Sequence, residues 1–161
     1  MELYFTNSRR YDEALNQYRQ VIELDTKDTT EARFQIARLY ITKRMFPEAF
    51  AEIKRMQGSD PSDVNVASLL GIAYGFEGKR EEAGRILNGL KDKRRREYVR
   101  PYILAETYAA LGEKDQALEW LQKAYDERDD WVVWIRVDPN LDGLRADLRF
   151  AELLDRVGLK Q

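Results

Sequence analysis

The 161-residue chain contains no cysteine and no histidine. The first absence removes disulfides and thiolate chemistry. The second removes Ser-His-Asp and Cys-His constellations, histidine-ligated zinc and an imidazole pH switch. Long apolar runs are also missing. The longest, such as "WVVWI" starting at Trp131, fall far short of the ~20 residues a bilayer span requires. The N-terminal "MELYFTNSRR" has no secretory apolar core, and the expected setting is cytoplasmic. Neither charge sign dominates: 27 Lys and Arg face 29 Asp and Glu, for a net −2. Such a slightly acidic chain lacks the basic domain on which nucleic-acid patches usually sit.

Charge of mixed sign is plentiful, at 35% of residues, beside nine Tyr, six Phe and three Trp. Large residues in that number are not typical of disorder. Mixed charge with strong helix formers predicts helices with wet, charge-laced outer faces.

The helical pattern recurs. "RRYDEALNQYRQVIELD" is followed by "RMFPEAFAEIKRM", "GKREEAGRILNGL" and "EKDQALEWLQKAY". Aligned on a small residue, the copies place Ala14, Ala49, Ala83 and Ala117 at steps of 35, 34 and 34. Nine residues earlier stand Phe5, Tyr40, Tyr74 and Tyr108, at the same steps. Four residues later stand Tyr18, Ile53, Leu87 and Leu121. A period of this size signals a solenoid of helix pairs. In the third unit Val66, Leu69, Leu70, Ala73 and Tyr74 form one stripe of a first helix. Gly78, and Gly112 in the next unit, are placed to end such a helix, and Pro61 in "SDPSD" sits between units.

A unit of 34 residues with "LLGIAYGFEGKREEAGRILNGL", that is Leu70-Gly71, Tyr74, Gly78 and Ala83, resembles a tetratricopeptide repeat. The resemblance covers about residues 1–130. The departures are Ile36-Ala37 in place of Leu-Gly, "KDKRRRE" in place of a closing Pro, and no first-helix Trp. It implies an all-α fold: a right-handed superhelical solenoid of antiparallel helix pairs, with units at about 1–28, 29–63, 64–97 and 98–130. Helix A of the first unit would begin about six residues before Met1. Met1 to Ser8 therefore reads as the second half of a helix and the chain as a piece of a longer polypeptide, the alternative being a natural start with a short frayed helix.

After Asp130 the period fails. Residues 131–161 are expected to form a C-terminal cap, since stacked arrays need a terminal element with one polar face. Trp131, Val133, Trp134 and Ile135 would meet the fourth unit. A closing helix would turn Leu148, Ala151, Leu154 and Val157 inward, between an Asp147 N-cap and Gly158. The segment resembles the close of repeat arrays in bacterial regulators, where such arrays follow a DNA-binding, kinase or cyclase domain.

Several motifs resolve into turns. Asp138, Asn140, Asp142 and Gly143 match the start of a calcium loop, but Arg149 stands where a bidentate Glu is needed. "GFEGKREE" misses the phosphate-loop spacing, and neither Glu81-Glu82 nor Asp129-Asp130 forms a paired acid–base site. No catalytic residue, metal site or cofactor is expected.

What the resemblance implies for binding is a concave face built from the first helix of each unit. That face would display Phe34, Arg38 and Ile41, then Asn65, Ser68 and Ile72, then Tyr102 and Glu106. The family's two-carboxylate clamp positions hold Phe34, Arg38, Leu69, Val99 and Ile103, so capture of an acidic C-terminus is not expected. The implied role is a non-catalytic protein-interaction module that takes a protein or amphipathic peptide in the groove. It would serve as the docking or sensory arm of a larger bacterial regulator, most often a transcriptional one. A structural spacer or homodimerisation module is the alternative. Nucleic-acid contact through Lys91 to Arg96 is a further one, although that run suits the end of a helix.

Overall fold

A computed structural model of the chain describes residues 10–24, 29–57 and 63–159. The helices are α1 (Tyr11–Glu23), α2 (Thr30–Thr42), α3 (Phe46–Gln57), α4 (Val64–Glu77), α5 (Arg80–Arg94), α6 (Pro101–Ala110), α7 (Lys114–Asp126) and α8 (Leu148–Val157). Two 3-10 helices, Asp130–Trp134 and Pro139–Leu144, lie between α7 and α8. The described residues contain no strand. Phe5, the half-helix expected before Ser8, and Pro61 lie outside the described residues.

The sequence period reappears in backbone hydrogen bonds. The carbonyls of Tyr40, Tyr74 and Tyr108 accept from the N–H of Met45 (2.9 Å), Lys79 (2.9 Å) and Glu113 (3.0 Å). This is the closing bond of a helix whose next residue turns left-handed. That left-handed residue is Arg44, Gly78 or Gly112, at φ of 59°, 86° and 76°. The carbonyls of Met45, Lys79 and Glu113 then accept from the N–H of Ala49, Ala83 and Ala117, each at 3.0 Å. All three alanines are fully buried. A small side chain there lets the second helix of each pair cross the first closely.

Arginine stands where glycine is favoured at Arg44 and again at Arg128, after α7, with φ of 57°. An L-residue in this region costs roughly 1–2 kcal/mol. Arg44 lays its guanidinium 3.5 Å from the centroid of the Phe76 ring. Arg128 is exposed. Arg128→Gly is expected to raise folding stability by roughly 0.5–1 kcal/mol, the strain relief less the entropy glycine adds to the unfolded chain. The urea midpoint of the variant would show it, and a lower midpoint would refute it.

Helices α2, α4 and α6 lie in sequence, with α4 touching α2, α3, α5 and α6. A helix touched on so many sides is apolar all round. Accordingly Val66, Ser68, Leu69, Gly71, Ile72, Ala73 and Gly75 are buried, a wider set than the stripe read from sequence, in which Leu70 and Tyr74 are only half-buried. The α4–α6 crossing is tight. A Cβ on Gly75 would stand 2.9 Å from the Ala110 Cβ and 3.1 Å from its carbonyl carbon. Glycine is required there by close approach.

The C-terminal segment packs on α7 and reaches across α6. Asp147 caps α8, accepting from the Arg149 N–H at 3.0 Å, and Gly158 ends it at φ 83°. The inward face of α8 differs from expectation. Phe150, Leu153 and Leu154 are buried, while Leu148 is 80% exposed. Rotating the helix this way buries its one aromatic ring, the largest apolar group available. Likewise Val132 and Ile135 point inward, and Val133 is exposed.

Candidate functional site

The positions expected to display a binding face are brought together, but mostly as an interior. Phe34, Arg38 and Ile41 on α2, Ser68 and Ile72 on α4, and Tyr102 and Glu106 on α6 are all buried. Asn65 alone is exposed. Seven of the eight positions are thus buried in the folded chain rather than open to solvent. Ile41 and Ile72 fill the core around α2, α3 and α4, and the Ser68 hydroxyl donates to the Asn65 carbonyl at 2.7 Å. The others are covered because the chain's own C-terminal segment lies over them.

Residues 129–140 supply the cover. Trp131 sits edge-on to Phe34 (6.2 Å between centroids) and to Tyr102 (6.1 Å). It is flanked by the guanidinium groups of Arg38 at 5.5 Å and Arg100 at 5.4 Å. Beneath it Arg38 donates to both Glu106 oxygens, at 3.1 and 2.5 Å, and to Asp138 Oδ2 at 3.3 Å. The Tyr102 hydroxyl donates to the same Asp138 oxygen at 3.0 Å. Asn140 Nδ2 donates to Glu106 Oε1 at 2.9 Å. The Asn140 N–H donates to Asp138 Oδ1 at 2.9 Å, which caps the second 3-10 helix. α2, α6 and the C-terminal segment thus meet in one buried polar cluster.

The cluster holds one fixed cation and two carboxyl groups, with Arg38 2% exposed and Glu106 and Asp138 fully buried. Burial, followed by the Glu106 charge, pushes the Asp138 carboxyl up to about 7, against the pull of Arg38 and the Asn140 amide. A buried carboxyl beside a carboxylate resists ionisation in this way. Tyr102 is driven well above its ordinary value, by burial first and then by Asp138 and Glu106. Next to the cluster, Asp129 is buried and accepts from the N–H groups of Tyr102 and Trp131, each at 3.1 Å. Its neighbour Asp130 is exposed and pairs with Arg100.

Part of the face stays open. A cavity of about 200 Å³ lies at the edge of the covered zone, lined by Thr30, Glu31, Phe34, Asn65, Arg100 and Trp131 among others. It keeps two expected residues, Phe34 and Asn65, at its wall.

The other motifs hold structural roles. Asp138 is engaged by Arg38, Tyr102 and Asn140, and Arg149 pairs with Asp115 and Asp147. Among the described residues no cluster of three or more His, Cys, Asp or Glu could hold a metal ion. In the basic run, Lys93 pairs with Glu97, Arg94 with Glu127 and Arg95 with Asp92. No helix among the described residues is long and apolar enough to cross a membrane. Sequence reasoning missed Asp129, Trp131, Asp138 and Asn140 as partners of the groove. Their one local signal, Asp followed two residues later by a bonded N–H, marks a capping turn and nothing more distant.

Two tetratricopeptide repeat family models match the chain, over residues 3–64 and 102–123, together just over half of it. Stacked helix pairs with a 34-residue backbone period agree with that match, and the chain belongs to the tetratricopeptide repeat family. The stretch between the two matches includes α4 and α5, whose sequence gave the fullest version of the repeat pattern. Comparison with curated proteins and with solved structures returned no match.

Proposed function

We propose that the chain is a non-catalytic protein-docking array, working in the cytoplasm as the docking or sensory arm of a larger bacterial regulatory protein, a transcriptional regulator in the first instance. Tetratricopeptide repeats suggest protein–protein interaction as the general role. The observation that carries the groove reading is that the face of α2 and α6 already holds a peptide segment. The chain's own residues 129–140 are held there by Trp131 wedged between Phe34 and Tyr102 and by polar bonds to Arg38 and Glu106. A partner's amphipathic segment uses the same chemistry, entering at the open mouth beside Asn65. Stacked helix pairs keep that surface rigid, so little conformational entropy is lost on docking.

The test is selection of helical peptides from a display library against the full chain. Selected binders are expected to lose tenfold or more in affinity for a Thr30→Arg, Asn65→Arg double variant, whose long cations fill the mouth. Binders indifferent to that variant would overturn the groove reading. A mass that rises with concentration in light scattering, and returns to the monomer value in the variant, would favour the homodimer instead.

A further inference from the structure

The cover over the groove is attached in an unusual way. Apolar wedges alone would hold it with little dependence on pH. Beside the Trp131 wedge, its contact with α2 and α6 includes the buried Asp138 carboxyl, and the groups facing that carboxyl form an unbalanced set. α2 presents Arg38, and α6 presents Glu106 and Tyr102. The segment itself adds the Asn140 N–H and, at the Asp138 backbone carbonyl, the Arg145 guanidinium at 3.3 Å. α7 contributes apolar Leu118 and Leu121 to the cluster around Leu141 and Leu144. One guanidinium cannot neutralise two carboxylates shut away from water. The cluster is at ease only when a proton lies between Asp138 and Glu106, so that one carboxyl donates to the other.

We propose that residues 129–144 are a releasable plug, seated in the groove while Asp138 and Glu106 share one proton and loosened when that proton is lost. The inference rests on the docking reading of the groove, whose regulation it names: a partner gains Arg38, Tyr102 and Glu106 from the alkaline side. The sign follows from linkage. The folded chain keeps its proton on Asp138 up to about pH 7, whereas an unfolded carboxyl of ordinary value 3.8 has already lost it. Across that window the seated state binds more protons than the released one, so raising the pH shifts the balance towards release. The geometry supports this independently, since both carboxyls and the single cation are sealed in one site. The release is local. The cluster ties the segment to α2 and α6, while α4 and α5 hold their own contacts.

Asp138→Asn makes the test selective. The amide keeps an oxygen for the Asn140 N–H and carries a permanent N–H towards Glu106, so it stays neutral at both pH values, while Arg38 and the Tyr102 hydroxyl lose their Oδ2 acceptor equally at both. Hydrogen–deuterium exchange of the full chain, corrected for intrinsic rates, is compared at pH 6 and pH 8.5. In the parent, protection of residues 129–144 is expected to fall tenfold or more at the higher pH while α4 and α5 hold theirs. In Asp138→Asn protection is expected to be the same at both. Equal protection of the parent at both pH values, or the same fall in the variant, would overturn the plug. Should Asp138→Asn fail to fold, Glu106→Gln serves in its place. It leaves Asp138 alone with Arg38 and predicts an equally flat profile. No partner is present, so failure of the peptide selection above and failure here are separate results.

Discussion

Replacing Arg38 with methionine is expected to lower folding stability by about 3–5 kcal/mol at neutral pH, because it leaves Glu106 charged, buried and without its cation. Methionine matches much of the arginine stem in volume, so cavity formation adds little to the loss. The penalty is electrostatic and therefore depends on pH. Without Arg38 the Asp138 carboxyl loses the attraction that opposes its raised value, and its folded-state affinity for protons rises further. A group whose folded value is raised contributes stability at low pH and loses it as pH rises. The deficit of Arg38→Met is accordingly larger at pH 8 than at pH 5.5. Urea titrations of parent and variant at the two pH values measure it, and a deficit that is constant or grows towards acid would contradict the assignment. Adding Glu106→Gln to Arg38→Met should recover more than half of the loss. It removes the stranded charge and keeps an acceptor for Asn140 Nδ2.

The same arginine shows why the groove was only half legible. The family resemblance implied Arg38 and Glu106 on one face, as a charge contrast on an otherwise apolar surface. Two residues 68 apart that both carry functional-looking charge suit a binding face as well as an ion pair. What decides between them is a third group, Asp138, 100 residues from Arg38. Asp138 already had a sufficient local explanation as the cap of the second 3-10 helix. A residue that satisfies a near-neighbour rule gives no sign that it also makes a distant contact. Trp131 is similar: an apolar residue after the last repeat suits a cap on α7, and nothing in its neighbourhood points to Phe34 on α2.

The repeat was legible for the opposite reason. Tyr40, Tyr74 and Tyr108 mark the same step of successive helices, and the buried alanines mark the same crossing. Each is fixed by contacts within its unit or with the next, so a local rule applied several times reveals it. Arg44 and Arg128 show where that rule yields. Both adopt the left-handed turn that Gly78 and Gly112 adopt, at a cost small enough for stacking to overcome. The seven buried positions of the expected face follow from a similar limit. Periodicity says which side of a helix looks towards the groove, but not whether the rest of the chain fills it.

The closing helix gives the second large effect, and here sequence pattern and structure predict different outcomes for two neighbouring residues. The spacing of Leu148, Ala151, Leu154 and Val157 places Leu148 in the core. The structure leaves Leu148 80% exposed and Phe150 1% exposed. Phe150 joins Leu121, Ile135, Leu141 and Leu144 in the cluster that fixes the C-terminal segment to α7. Phe150→Ala is therefore expected to cost about 3–5 kcal/mol, as a buried ring is lost and the cavity left behind relaxes only in part. Leu148→Ala is expected to stay within about 0.5 kcal/mol of the parent, as exposed substitutions do. Thermal and urea unfolding of the two variants decide the matter. A large loss in Leu148→Ala with little in Phe150→Ala would restore the simple stripe and rotate α8 by two residues. Loss of Phe150 should also free the plug from its anchor at α7. Protection of residues 129–144 in Phe150→Ala would then fall even at pH 6, where the parent is expected to stay seated.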